Sequence, residues 1–142
     1  MYKKVYIEIT SICNMSCSFC HGHSRAPHRM SEQEFSHVLD ALQGQTKYVY
    51  YHLMGEPLTH PELPQFLRMA KEHGFYSVIT TNGTLLSRRA DEIISAAPHK
   101  ISISVHSFES GSEQAFDTYL RGIADFADAA SRAGIIVVFR FW

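Results

Sequence analysis

Apolar and polar positions along this chain change period in a regular order. Val5, Ile7 and Ile9 alternate with Tyr6, Glu8 and Thr10, the period of two expected of a strand with one buried face. A long polar segment follows. Phe35, Val38, Leu39 and Leu42 then fall at i, i+3, i+4 and i+7, one apolar stripe of a helix. Ser31 stands three residues before Glu34, the pattern of a capping box, and Gly44 is placed to end the helix. The same unit repeats down the chain. Lys47 to Leu53 predicts a second strand leading to Met54-Gly55-Glu56-Pro57, and Leu63, Phe66, Leu67 and Ala70 predict a second helix stopped at Gly74. Tyr76 to Thr81 predicts a third strand ending at Asn82-Gly83. Ser87 is expected to cap a third helix carrying Ala90, Ile93, Ile94 and Ala97, closed by Pro98. Lys100 to Val105 predicts a fourth strand. A fourth helix with Phe116, Leu120, Ile123 and Ala127 is expected to run to Gly134, and Ile135 to Trp142 predicts a fifth strand.

Strands alternating with helices at this spacing predict crossover connections, a parallel sheet and the α/β class. A closed barrel and a doubly wound open sheet both meet that description. The strands of a doubly wound sheet are covered on both faces and read as nearly continuous apolar runs. Two strands here do not, because Ile101, Ile103 and Val105 alternate with Ser102, Ser104 and His106, and the first strand separates its faces in the same way. One apolar face suits helices packed outside, and one polar face suits a lumen that admits a polar ligand. Tyr50, His52 and Arg140 could join that lining. The reading is a partial (β/α) barrel of about five parallel strands with four helices outside. Its last strand would present an unpaired edge, which natural proteins cover. A longer chain truncated at its C-terminal side, or a second copy forming a homodimer through that edge, would cover it.

Composition narrows the picture without redirecting it. At 142 residues the chain suits one domain, residues 1–142, with a substantial core. A net charge of −1 gives no electrostatic case for nucleic acid or an anionic membrane. The longest apolar run, Ile135 to Phe139, is far too short to span a bilayer. Met1 runs within a few residues into the alternating segment, with no stretch resembling a signal peptide, so the expectation is a cytoplasmic, reducing compartment. Most of the nine histidines are read as solvated or structural.

All three cysteines fall within Cys13-Asn14-Met15-Ser16-Cys17-Ser18-Phe19-Cys20. Three thiols so close in a reducing compartment point to a metal or cluster site before a disulfide. Several chemistries fit in part. Cys17-Ser18-Phe19-Cys20-His21 spells a c-type haem attachment site, but that attachment occurs outside the cytoplasm. Zinc could be held by the three cysteines with His21 or His23, although structural zinc sites usually bring two separated pairs. A Cys17/Cys20 redox pair leaves Cys13 unexplained. An iron–sulfur cubane normally takes four thiolates, so three would leave one iron open to a ligand.

The spacing C-x-x-x-C-x-x-C resembles that of the radical S-adenosylmethionine (radical SAM) enzymes. The resemblance implies that Cys13, Cys17 and Cys20 hold a [4Fe-4S] cluster whose fourth iron is chelated by the amino and carboxylate groups of SAM. It places Phe19 near the adenine; otherwise that ring is a loop anchor. Gly55-Glu56-Pro57 is similar to the family's GGEP turn, with Met54 in place of the first glycine, and there it implies contacts to the SAM amino group, mostly through backbone oxygens. Without the resemblance, the segment reads as a tight turn stiffened by Pro57. Thr81-Asn82-Gly83 resembles a T-N-G segment near the SAM pocket, or equally a turn that tolerates positive φ. Ser102, Ser104 and His106 match positions of polar contacts to the SAM ribose or carboxylate. Arg140 is either a carboxylate clamp or a lumen partner of Glu8. These segments all lie where strands end, the rim on which (β/α) barrels build their sites. The family's barrel has about six βα units, one more than is found here, and its glycine-containing fifth-strand segment is not evident. Implied activity is reductive cleavage of SAM to a 5′-deoxyadenosyl radical that abstracts hydrogen. The electron comes from an external one-electron reductant, and the substrate, whether peptide, nucleoside or partner enzyme, is unspecified. The contrasting expectations are a non-catalytic iron–sulfur or zinc module, and a core piece inactive without its C-terminal part.

Overall fold

The computed structural model describes residues 1–15, 25–109 and 112–141. These form strands β1 (Val5–Ile7), β2 (Tyr48–Tyr51), β3 (Tyr76–Thr81), β4 (Lys100–Ser104) and β5 (Ile136–Arg140). Between them lie helices α1 (Glu32–Leu42), α2 (Leu63–Glu72), α3 (Leu86–Ala96) and α4 (Glu113–Arg132). The strands make one parallel sheet in the order β1-β2-β3-β4-β5, with each helix linking neighbouring strands. The partial barrel expected from the alternation is the fold.

Alternate strand positions explain the two faces. Val49, Tyr51, Ile79, Ile101 and Ile103 are fully buried and share one core with Phe35, Leu39, Phe66, Leu86 and Ile93 from the helices. Phe35 and Phe66 stack with their centroids 4.3 Å apart, which joins α1 to α2 beneath β2. The capping box at Ser31 is made as the sequence implies, with Glu34 N donating to Ser31 Oγ at 3.1 Å and Ser31 N to the Glu34 carboxylate at 2.7 Å. The other set of strand positions lies in register across the concave face, where Tyr6, Tyr50, Val78, Lys100 and Ile136 form one complete row.

Several expected details differ. Ser87 does not cap α3: Leu85 occupies that position and Ser87 turns toward α4, its Oγ lying 2.5 Å from where a Cβ on Gly122 would sit. A larger residue than glycine at this crossing would push the helices apart. On α4 the buried face runs through Tyr119, Ile123, Phe126, Ala127 and Ala130, while Phe116 is 38% exposed. The first hydrophobic residue of a periodic series sits at a helix start, where the core has not yet closed over it. β4 ends at Ser104, and a 3-10 turn over Val105–Ser107 follows, so His106 stands beyond the strand. Ser102 and Ser104 are 7% and 9% exposed, so the polar side of β4 is a packed wall and not an open one.

Candidate functional site

Three loops meet at the C-terminal rim, and backbone geometry forces them together. Gly55 has φ +78, and a Cβ there would stand 2.2 Å from the Thr10 carbonyl oxygen and 3.0 Å from that of Ile12. Only glycine permits this approach. Glu56 N then donates to the Ile12 carbonyl at 2.8 Å, and Thr59 Oγ1 reaches the same oxygen at 3.3 Å. The turn after β2 is therefore fastened to the residue preceding Cys13, which is exposed beside it.

Glu56 is 3% exposed, and its side chain ties the turn after β2 to the end of β3. Its carboxylate accepts from Thr81 Oγ1 at 2.6 Å, from Asn82 N at 2.8 Å and from Leu58 N at 3.2 Å. Burial is the largest influence on its pKa and raises it, against the pull of these three donors. The side chains of Glu56 and Thr81 are thus committed to structure. Whatever this turn offers a ligand comes from its backbone.

The Thr-Asn-Gly segment closes the ring. Asn82 Nδ2 donates to Asn14 Oδ1 at 3.0 Å, Asn14 Nδ2 to Thr84 Oγ1 at 2.9 Å, and Thr84 Oγ1 to Asn82 Oδ1 at 2.7 Å. Asn14 follows Cys13 directly, so this cycle clamps the start of the cysteine loop to the end of β3. Tyr119 supports it from α4, its hydroxyl donating to the Asn82 carbonyl at 2.7 Å while its ring stacks on Phe108 at 4.1 Å. Burial and then the Glu56 charge lift the Tyr119 pKa to about 12. Gly83, at φ +83, passes so close that a Cβ would meet Ile103 and Tyr119 at 2.9 Å and 3.0 Å. Neither Asn14 nor Tyr119 stood out in the sequence. The buried spacing of Tyr119 with Ile123 and Phe126 was a legible signal, whereas a loop asparagine carries none.

The remaining candidates are dispersed along the wall. Ser102 pairs in register with Thr80 and Val138, and Ser104 with Arg140. His106 Nδ1 lies 3.2 Å from the Arg140 carbonyl oxygen. Glu8, the alternative partner for Arg140, is paired with Arg25 at 2.7 Å and also accepts from Met54 N at 3.4 Å. Phe19, Cys17 and Cys20 lie outside the described residues. Among the described residues no group of three His, Cys, Asp or Glu side chains is arranged to hold a metal, so a cluster here would draw on Cys13 together with the other two thiols. The donor chemistry fits: an exposed thiol at a rim crossed by close-packed backbone suits a soft iron–sulfur centre.

The family model of the Radical SAM superfamily matches residues 7–141. The chain belongs to the radical SAM superfamily. It is 34% identical over 110 residues to the GTP 3′,8-cyclase of Chlorobaculum tepidum, covering 74% of this chain and 33% of that protein. It is 31% identical over 127 residues to the AdoMet-dependent heme synthase of Methanosarcina barkeri, covering 82% of this chain and 36% of that protein. To the tungsten-containing aldehyde ferredoxin oxidoreductase cofactor-modifying protein of Pyrococcus furiosus it is 36% identical over 89 residues, 60% of this chain and 25% of that one. The chain thus spans between a quarter and about a third of these relatives. Among solved structures, BtrN in complex with AdoMet and 2-DOIA shares the fold, with a TM-score of 0.74 at 20% identity over 99% of this chain and 57% of that one. No helix among the described residues is long and apolar enough to cross a membrane.

Proposed function

We propose that this chain is the cluster- and SAM-binding core of a radical SAM enzyme, with Cys13, Cys17 and Cys20 as ligands of a [4Fe-4S] cluster. The observation that carries this reading is the fastening of both the Gly55-Glu56 turn and the Thr81-Asn82 segment to Ile12 and Asn14, the two neighbours of Cys13. When bound, such a cluster supplies the electron that cleaves SAM to methionine and a 5′-deoxyadenosyl radical, an external one-electron reductant having charged it. The protein's own part is positioning and exclusion of water. An ammonium at the turn needs carbonyl acceptors, and the Glu56 carbonyl already receives Thr59 N at 2.9 Å and Thr59 Oγ1 at 2.7 Å, which uses both lone pairs. Among the described residues nothing donates to the carbonyls of Met54 and Gly55, and these would take the SAM amino group. Phe19 would border the adenosyl part, Pro57 would stiffen the turn, His106 at the end of the packed Ser102–Ser104 wall would supply a polar contact, and Arg140 would face the carboxylate.

Residues 1–142 act in this reading as part of a longer enzyme that contributes the substrate side, consistent with the greater length of the relatives. β5 pairs with β4 alone among the described residues, so further chain or a second copy would extend the sheet there. The names of the relatives, a GTP cyclase and a heme synthase, leave the chemistry open to nucleotides and tetrapyrroles, and a peptide or partner enzyme stays open beside them. The test is anaerobic reconstitution with iron and sulfide. Wild type should retain about four irons per chain and cleave SAM on reduction, and Cys17→Ala should do neither. Full activity in that variant, or stoichiometric zinc in wild type, refutes the assignment.

A further inference from the structure

Asn82 is held through its backbone and its side chain alike. Its N–H donates to the Glu56 carboxylate at 2.8 Å and its amide nitrogen to Asn14 at 3.0 Å, while its amide oxygen accepts from Thr84 N and Oγ1 at 3.0 Å and 2.7 Å. Its carbonyl is held from outside the rim loops, by the Tyr119 hydroxyl on α4 at 2.7 Å. Tyr119 is buried, and its raised pKa keeps the proton on that hydroxyl at neutral pH, so the donor is always present. The face of the same ring stacks on Phe108, 8° from parallel with centroids 4.1 Å apart. Phe108 N closes the 3-10 turn of Val105–Ser107 on the Val105 carbonyl at 3.1 Å, and that turn carries His106. One rigid side chain therefore holds the loop after β3 with its oxygen and the loop after β4 with its ring. Gly83 lies against it too, since a Cβ there would stand 3.0 Å from the Tyr119 hydroxyl. The loop after β3 is pressed onto α4 as well as bonded to it.

Resting on the reading of the rim as the cluster and SAM site, we infer that Tyr119 is a positioning residue for SAM: it fixes the Asn82 segment and the His106 turn relative to each other before SAM arrives. A ligand held by several loops binds tightly when those loops are already ordered, because little ordering entropy is then lost on binding. Cluster retention rests on iron–thiolate bonds and does not need that spacing. Removing the hydroxyl leaves the Asn82 carbonyl buried without its donor, and the segment must shift to regain one. The expected signature is weaker SAM binding with an intact cluster.

The experiment compares wild type, Tyr119→Phe and Phe126→Leu, each reconstituted anaerobically and titrated with SAM while the electron paramagnetic resonance line shape is followed. Tyr119→Phe keeps the ring and loses only the hydroxyl. It should retain about four irons per chain and bind SAM about fivefold more weakly. In the cluster-free chain its Thr84 amide should exchange about fivefold faster. Phe126, buried two turns further along α4, is the control for lost stability, and Phe126→Leu should bind SAM as wild type does. Wild-type affinity or wild-type Thr84 exchange in Tyr119→Phe, loss of its iron, or equal weakening in Phe126→Leu would overturn the inference and leave the cluster assignment in place. A wild type that ignores SAM would sink that assignment, and this inference with it. If Tyr119→Phe does not fold, Phe108→Leu decides, since it removes the stack and keeps the hydroxyl. SAM binding weakened about threefold with the cluster retained supports the inference, and unchanged binding overturns it.

Discussion

At the scale of single residues, the rim depends on side chains that contribute geometry. Gly55 is the least replaceable, because alanine would combine a left-handed backbone, costing about 1–2 kcal/mol, with a carbon 2.2 Å from the Thr10 oxygen. Gly55→Ala should lose about 3 kcal/mol or more in urea unfolding, since one of the two segments must move. Asn14→Ala removes two hydrogen bonds of the cycle with Asn82 and Thr84. About 1–2 kcal/mol of lost stability is expected, together with faster amide exchange at Thr84, whose N–H donates to Asn82 Oδ1 at 3.0 Å. Unchanged exchange there would show that the cycle does not hold the loop. The sequence made Gly55 and Glu56 conspicuous, but it could not tell that the Glu56 carboxylate faces Thr81 and Asn82. That orientation follows from which side of the turn is buried, a property of the assembled sheet.

Among the elements, the connection from β2 to α2 is the most densely tied. Arg89 on α3 donates to the carbonyls of Leu58 and His60, both at 2.7 Å, so the loop is strapped to a helix two elements away. His60 is 1% exposed, with Nε2 2.8 Å from the Met30 carbonyl and Nδ1 accepting from Glu62 N at 3.1 Å, which defines a neutral ring. Burial is the main cause that lowers its pKa below 6.5, partly offset by the Met30 carbonyl. A lowered folded-state value means that the stability from neutral His60 is complete above pH 6.5 and is lost as pH falls through the folded pKa. Glu56, raised by burial, runs the other way at lower pH, so the comparison must isolate His60. Between pH 7.5 and 5.5 the urea midpoint of wild type should fall more steeply than that of His60→Gln; parallel slopes would contradict the assignment. Helix identity was legible from period alone, as at Leu63, Phe66, Leu67 and Ala70, all buried. Helix ends were less so. Ser87 has the chemistry of a cap, but the tight turn at Gly83, closed by Leu86 N on the Gly83 carbonyl at 3.3 Å, starts α3 before it.

For the whole molecule, the parallel sheet followed from the alternation of strand and helix patterns, and the choice of barrel over doubly wound sheet from the one-sided apolar pattern of β1 and β4. The same pattern overstated how open the inner face is, because serine is small enough to be buried between neighbours at Ser102 and Ser104. Phe66, fully buried between Phe35 and His60, joins two helices to the loop below the rim. Phe66→Ala should cost about 3–5 kcal/mol by thermal or urea unfolding. A loss under 1 kcal/mol would mean that the core does not pack as described. The account stands or falls on whether the three thiols and the converging loops form one site. Its most direct test is the electron paramagnetic resonance spectrum of the reduced, reconstituted chain before and after SAM is added. The account predicts a four-iron signal that changes shape with SAM and, in Gly55→Ala, no longer does so; a signal indifferent to SAM in wild type would contradict it.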